Sequence, residues 1–369
     1  MKRVKTIDTI RGWCIVMMVF AHMLSWWVRP EDYWLTSILH SFLGDIAAGG
    51  FLFVSGLSAI ISFRSRFKKA EVSEDFSISQ VKNEYLIRAL LIFIAALIYN
   101  SATAIGTLDP SNIWKWYVPL TIASSLFLAY PFFKTSKLFR LIFALIIWIA
   151  HYFILSFLLP YQGQLNIFGV SFFILYNEVG LHPILNYFSF FLIGTVIGDI
   201  MFEISLRNDQ NEKLSGFKNK LWFPSLIMGP ILILIGVLLF FPDFLTHGSF
   251  TSMAYSLGVL LTSFSILLII EEYEVIKVKK RYRFFYFYSY YSLTIYFSHN
   301  IIYFIFLDRL NAVTIWFAVV GTYFLLTLLI RFIYKKYSIK ASLKAQIGRI
   351  SLILIKKIEA KKLKVKASQ

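Results

Sequence analysis

Cysteine and charged residues are both scarce in this sequence. The chain has 369 residues and one cysteine, Cys14, which excludes an internal disulfide and any metal site built from several cysteines. Charged residues make up 15% of the chain, against roughly 25% in soluble domains, while hydrophobic residues reach 58%. A soluble fold would have to expose much of this apolar surface to water. The composition therefore predicts one membrane body rather than two or three soluble domains.

Acidic residues are also few, and the excess of basic ones gives a net charge of +17. Such a balance is typical either of nucleic-acid binding or of a membrane protein with basic cytoplasmic loops. The motifs of other chemistries are missing, because the sequence contains no GxGxxG, Walker phosphate loop, HExxH or GxSxG. Soluble nucleotide chemistry and zinc proteolysis therefore lack support.

Long apolar segments are abundant. A membrane-spanning helix needs about 20 mostly apolar residues, and ten segments meet this requirement. They are residues 10–28, 45–63, 85–106, 114–133, 138–159, 184–203, 222–242, 250–270, 284–306 and 312–334. We predict an all-α polytopic membrane protein of about ten transmembrane helices. One transmembrane domain would cover residues 1–335, followed by a basic tail over residues 336–369.

The positions of the basic residues decide between the two meanings of the charge. If the ten segments alternate in direction, three of the 37 basic residues fall on one side, namely Arg29, Lys115 and Arg309, and the remaining 34 on the other. By the positive-inside rule, both termini are then cytoplasmic in a cell membrane. The loops at residues 29–44 and 160–183 are predicted to lie outside. The charge therefore indicates orientation and no nucleic-acid partner.

The tail has a helical pattern of its own. Leu343, Ile347, Ile350, Leu354 and Ile358 recur at spacings of three and four, with lysine and arginine between them. This pattern predicts a basic amphipathic helix that binds lipids of the anionic inner leaflet. A disordered basic tail is the alternative.

Ionisable residues in the first helix mark a candidate site, because such groups are costly inside a bilayer. Arg11 and His22 are eleven residues apart, which returns to within about 20° of the same helix face, and Asp8 lies close to that face. His22 would sit roughly 16 Å deeper than Arg11. An ion pair at the helix end and a packing histidine are the alternatives.

The ninth segment repeats this theme. Ser292, Tyr296 and His299 lie on one stripe, with Asn300 beside it. Both His299 and His22 fall in the outer half of the membrane, so we expect that they can share a cavity. An aromatic packing stripe is the alternative.

The outer rim carries three more candidates, His40, Asp45 and His182. Asp45 opens the second segment, where a carboxylate also suits the positive end of the helix dipole. His247 lies in a short loop and is expected to be solvated. Small residues in the second segment and a GxxxG pair in the sixth, Gly194 with Gly198, predict close helix packing.

Several stretches resemble integral-membrane acyltransferases. Asp-Thr-Ile-Arg-Gly at residues 8–12, followed by His22, resembles their opening, and Gly-Phe-Leu-Phe-Val-Ser-Gly-Leu-Ser at 50–58 resembles their second-helix signature. Residues 182–198 are similar to a segment of the heparan-α-glucosaminide N-acetyltransferase family, and 292–299 resembles the superfamily's late Tyr-x-x-His helix. The sequence resembles that family first and the acyltransferase-three branch second.

The resemblance implies that an acyl group, most simply acetyl, passes from cytoplasmic acetyl-CoA or another acyl-CoA to a hydroxyl or amine of a sugar or glycolipid outside. Arginine suits CoA phosphates, and a neutral histidine suits general-base work. The expected catalytic residues are His22, His40, Asp45 and His299. The expected donor-binding residues are Asp8, Arg11, Arg64 and Arg88. The expected acceptor-binding residues are His182, Tyr296 and Asn300. No metal is expected, and a homodimer is compatible with the sequence.

Two other classes stay open from the residues alone. Ten helices with histidines at membrane depth also suit a transporter or permease with proton-linked histidines. A non-enzymatic membrane component, in which the histidines only pack, is the third class.

Overall fold

The computed structural model describes residues 4–72, 77–275 and 283–367. Within this part the chain is helical and has no β-strand, which confirms the all-α polytopic prediction. The α-helices are α1 (Lys5–Trp27), α2 (Tyr33–Val72), α3 (Ile78–Thr107), α4 (Val118–Phe132), α5 (Lys137–Leu158), α6 (Ile167–Leu175), α7 (Ile184–Ser205), α8 (Gln210–Phe217), α9 (Phe223–Leu238), α10 (Phe250–Glu272), α11 (Arg283–Tyr290), α12 (Ser292–Ser298), α13 (Thr314–Tyr337) and α14 (Leu343–Ala367).

In the described residues, eight helical segments are long and apolar enough to cross a membrane. Two of the ten predicted spans differ from this set. The fourth span corresponds to α4, which is apolar but shorter, because a 3₁₀ turn at Pro110–Trp114 precedes it and the helix starts only at Val118. The ninth is interrupted.

The interruption in the ninth segment lies at Tyr291, between α11 and α12, and a 3₁₀ helix at His299–Phe304 follows. Non-helical backbone at membrane depth is tolerated only where protein groups satisfy it. Here Ser342 donates a hydrogen bond to the Tyr290 carbonyl at 3.0 Å, and the Tyr291 hydroxyl donates to the Ser338 carbonyl at 2.9 Å. The predicted continuous ninth helix is therefore replaced by short pieces fastened to the chain after α13.

The predicted outer loop at 29–44 is mostly helix. Pro30 opens a 3₁₀ turn at Pro30–Asp32, and α2 then runs without a break for 40 residues, a length of about 60 Å. His40, which falls in the predicted loop, therefore lies on the same helix as Asp45.

Glycines set the closest helix contact, between α2 and α7. A Cβ atom on Gly56 would overlap the backbone oxygen of Phe191, and one on Gly194 would overlap that of Phe53. Since no larger residue fits, the small residues of both helices bring the two backbones together, as the sequence pattern predicts. These helices form the buried centre, while α5, α9 and α13 expose much more apolar surface.

The tail after residue 342 is also helical and packs on the rest of the molecule. In α14, Ile347 and Ile355 are buried on the side that contacts α3, and Ile350, Leu354 and Ile358 are exposed. The predicted apolar stripe is thus shared between a protein contact and an exposed face. That this face binds the inner leaflet stays a prediction.

Replacing Gly194 by leucine should destabilise the protein by about 1–3 kcal/mol or more, because the added side chain separates α2 from α7. Thermal unfolding in detergent measures the effect. Gly321→Leu is the matched control, since nothing lies within 4 Å of a Cβ atom at that position. Equal stability of the two variants would contradict the packing argument.

Candidate active site

A cavity of about 440 Å³ opens between α1, α2, α3, α4, α12 and α14, and most of its wall is apolar. Charged side chains gather where α1 begins and α2 ends. They are Asp8, Arg11, Arg66, Glu84, Arg88 and Lys344. Another part of the wall is formed by Ser292, Tyr296, Val118 and Pro119. The cavity therefore joins a cationic end to the polar stripe of α12.

Arg11 is held in place by several partners. Its Nη2 donates to Ser58 Oγ at 2.5 Å, and its Nη1 lies 3.7 Å from Asp8 Oδ1 and 3.4 Å from Ser289 Oγ. Ser289 in turn donates to Asp8 at 3.0 Å. The guanidinium is buried, and these contacts fix it at the cavity wall.

The other cations of the cavity differ in their pairing. Arg66 forms an ion pair with the buried Glu84. Arg88 is only partly exposed, and among the described residues it forms no ion pair. Because buried charges are normally paired, this guanidinium suits an anionic ligand in the cavity.

Arg64, expected at the donor site, lies elsewhere. Its Nε donates to Asp199 at 2.9 Å and its Nη2 to the Phe133 carbonyl at 2.8 Å, and Arg140 binds the same carboxylate. Arg64 does not line the cavity. Its contacts join α2 to α7 and to the end of α4, which is a structural role.

His22 and His299 are in direct contact, with 2.7 Å between His22 Nδ1 and His299 Nε2. Trp26 stacks on both rings. His299 Nδ1 lies 2.5 Å from the carbonyl oxygen of Tyr296, so this nitrogen must carry the proton. In neutral His299, Nε2 then accepts from His22 Nδ1, which leaves His22 Nε2 with a free lone pair. The structure thus assigns a tautomer in which His22 can accept a proton.

Asp45 organises a second cluster. Four donors surround its buried carboxylate: the Tyr187 hydroxyl at 2.7 Å, the Gly248 amide at 2.9 Å, the Ser252 hydroxyl at 2.5 Å and His247 Nδ1 at 2.7 Å. The expectation of a solvated His247 is therefore wrong. Helical periodicity gave no signal for this contact, because the two residues are far apart in sequence.

His40 and His182 flank this ion pair, with ring centroids 5.8 Å and 5.7 Å from that of His247. Burial lowers the pKa of His182 to about 3, so its ring is neutral. Burial also lowers the pKa of His247, but the ion pair and hydrogen bond with Asp45 raise it more, and the pKa lies above the usual histidine value. His40 and His182 are close enough to His22 for their charges to interact with it.

The structure groups most of the predicted site residues. Asp8, Arg11, Arg88 and Tyr296 line the cavity, and His22 and His299 pair beside Tyr296. Asn300 does not line the cavity and donates to the Tyr99 hydroxyl at 2.8 Å. Within the described ranges, no three His, Cys, Asp or Glu side chains are arranged to hold a metal ion.

The fold and its polar interior define an all-α polytopic membrane protein with a cavity that carries several cations and reaches Tyr296, whose carbonyl contacts His299. Residues 3–239 match the family model described as heparan-alpha-glucosaminide N-acetyltransferase, catalytic. The match covers more than half of the chain, which therefore belongs to this family and has a membrane acetyltransferase-type function. The resemblance found in the sequence is confirmed. A search of the curated proteins gives no match.

Asp45→Asn tests the electrostatics of the outer cluster through stability. The raised pKa of His247 means that its pairing with Asp45 stabilises the fold fully below about pH 6.5. This contribution disappears as the pH rises through the folded-state pKa. Wild type should therefore exceed Asp45→Asn in Tm most at about pH 6, and the gap should shrink toward pH 9.

The matched variant for this measurement is His247→Gln, which cannot titrate and should show the same pH-dependent gap from wild type. A gap that stays constant over this pH range for both variants would rule out the ion pair.

Proposed function

We propose that the protein transfers an acetyl group from cytoplasmic acetyl-CoA to a hydroxyl or amine of a sugar or glycolipid at the outer membrane face. The observation that carries the proposal is Arg88, a cation without an ion-pair partner in the described part of the chain, on a cavity that reaches Tyr296. The carbonyl of Tyr296 holds the histidine pair. An anionic, elongated acyl donor in the cavity would therefore lie next to the histidine that accepts the proton.

The donor end follows from the charges. Arg11, Arg66 and Arg88 present guanidinium groups, which bind phosphate through paired hydrogen bonds. The apolar wall beyond them suits the thin pantetheine arm and the acetyl group. The uneven distribution of basic residues supports a cytoplasmic position for this end.

The transfer step uses His22 as the base. The acceptor oxygen or nitrogen attacks the thioester carbonyl, and His22 Nε2 takes the proton of the attacking group. Tyr296, which lines the cavity, would donate from its hydroxyl to the oxygen that becomes negative. The carbon–sulfur bond then breaks, and the leaving CoA sulfur receives the proton from His22. His299 orients His22 throughout.

The acceptor would approach from the second cluster. His40, Asp45 and His182 form a cluster near the histidine pair, and the rings of His40 and His182 can bind hydroxyl groups. The buried ion pair of His247 with Asp45 fixes the geometry of this cluster.

The direct test is transfer by purified protein in proteoliposomes, with radiolabelled acetyl-CoA inside and a panel of amino sugars and alkyl glycosides outside. We expect labelled acceptor in the outer solution and free CoA inside. Absence of acetyl-CoA binding and of transfer would overturn the proposal. Uptake of an unmodified sugar without acetyl-CoA would favour the transporter class instead.

Arg88→Ala should raise the KM for acetyl-CoA by about tenfold to a hundredfold, because hydrogen bonds to charged groups contribute about 1.5–3 kcal/mol. Steady-state transfer at varied donor concentration measures it. Lys82→Ala is the control, since Lys82 lies on the same helix but outside the cavity. An equal change of KM in both variants would contradict the assignment of Arg88 to the donor site.

His22→Gln should lower kcat by about 10²- to 10⁴-fold with little change in the KM for acetyl-CoA, because only the proton acceptor is lost. His299→Gln should lower kcat less, since it removes the orientation of the base. His151→Gln is the control, because this buried histidine of α5 belongs to neither cluster. Full activity of His22→Gln would exclude the proposed base.

A further inference from the structure

Part of the cavity wall is formed by residues that lie outside the region matching the family model. Lys344, in the first turn of α14, lines the cavity together with Arg11, Arg66 and Arg88. The matched region ends at residue 239, before α10. The helix predicted as a separate tail thus contributes a charged group to the candidate donor site.

The position of this helix is fixed by the chain that leads into it. Thr294 of α12 donates to the Ala341 carbonyl at 3.1 Å and accepts from the Leu343 amide at 3.0 Å. Ser342, which is buried, donates to the Tyr290 carbonyl. The start of α14 is therefore fastened to the interrupted ninth segment, which carries Tyr296 and His299.

A second contact fixes the direction of α14. Ile347, Ser351 and Ile355 are buried along one side of the helix, which packs on α3. Further along, Glu359 accepts a hydrogen bond from Gln80 at the start of α3. Because α3 also carries Arg88, the two helices present Arg88 and Lys344 to the same cavity.

The charge of the cavity wall indicates what Lys344 would bind. Among the described residues, four basic and two acidic side chains line it, so positive groups outnumber negative ones in this part of a largely apolar wall. A ligand with several phosphates balances this excess, and a lysine suits a phosphate that changes position, because its ammonium group is a compact charge on a flexible stem.

We infer that α14 forms part of the donor site and that Lys344 binds a phosphate of acyl-CoA. The inference rests on the proposed function, since it assumes a CoA-type donor. It assigns to the C-terminal helix a role in donor affinity, in addition to any contact with the inner leaflet.

Lys344→Ala tests this with two donors, acetyl-CoA and S-acetylpantetheine, which carries the thioester but no phosphate. With acetyl-CoA the KM should rise about tenfold and kcat should stay within about twofold. With S-acetylpantetheine, wild type and variant should be equal. Lys344→Arg should recover most of the affinity for acetyl-CoA.

Lys357→Ala is the matched control, because Lys357 is exposed on the same helix and does not line the cavity. It should leave both donors unaffected. Thermal unfolding in detergent identifies any variant that fails to fold. If Lys344→Ala fails to fold, the KM of Lys344→Arg for acetyl-CoA still tests the role of the charge.

The possible failures are distinguishable. If wild type neither binds nor uses acetyl-CoA, the proposed function falls. If wild type transfers acetyl groups and Lys344→Ala keeps its KM for acetyl-CoA, only the inference is overturned. An equal loss with both donors would also overturn it, because α14 would then support the fold rather than bind phosphate.

Discussion

The interruption of the ninth segment at Tyr291 is the constraint on which the site depends. Inside a bilayer, a broken helix needs partners for its freed backbone groups. Ser342 donates one such hydrogen bond, to the Tyr290 carbonyl. Thr294 of α12 accepts a hydrogen bond from the Leu343 amide at the start of α14. The same break lets a 3₁₀ turn begin at His299, whose ring is held by the Tyr296 carbonyl. Cavity wall, histidine pair and C-terminal helix therefore form one connected unit.

Most charged side chains described in the interior are paired, and Arg88 differs from them. Asp45 is surrounded by four donors, and Asp199 binds both Arg64 and Arg140. Such enclosure offsets the large cost of placing a carboxylate in a low-dielectric interior. Arg88 forms no ion pair in the described residues, although it is only partly exposed and lines the cavity. The difference marks a place for a ligand's charge rather than for packing.

Much of this arrangement follows from the sequence, and the exceptions have a common cause. Helical phase places Arg11 and His22 on one face, and composition predicts the apolar helices and the close contact at Gly194. Local patterns carry no information on which distant side chain completes a contact. Asp45 of α2 contacts His247 in the loop before α10, and Arg64 of α2 contacts Asp199 of α7, so each partner lies far along the chain. From local patterns alone, Arg64 is predicted at the donor site and His247 is predicted to be solvated. The helix α2 also begins earlier than the predicted segment 45–63, at Tyr33, and so includes His40.

The ability of His22 to act as a base depends on residues from more than one helical segment. His22 lies within the region that matches the family model, whereas His299 lies beyond it. The Tyr296 carbonyl fixes the proton on His299 Nδ1, and only that choice makes His299 Nε2 an acceptor and leaves His22 Nε2 unprotonated. A shift of α12 would therefore change the protonation pattern of His22 in α1 through its contact with His299. Since α12 is fastened to α14, the proposed proton acceptor and the proposed donor-binding helix are mechanically linked.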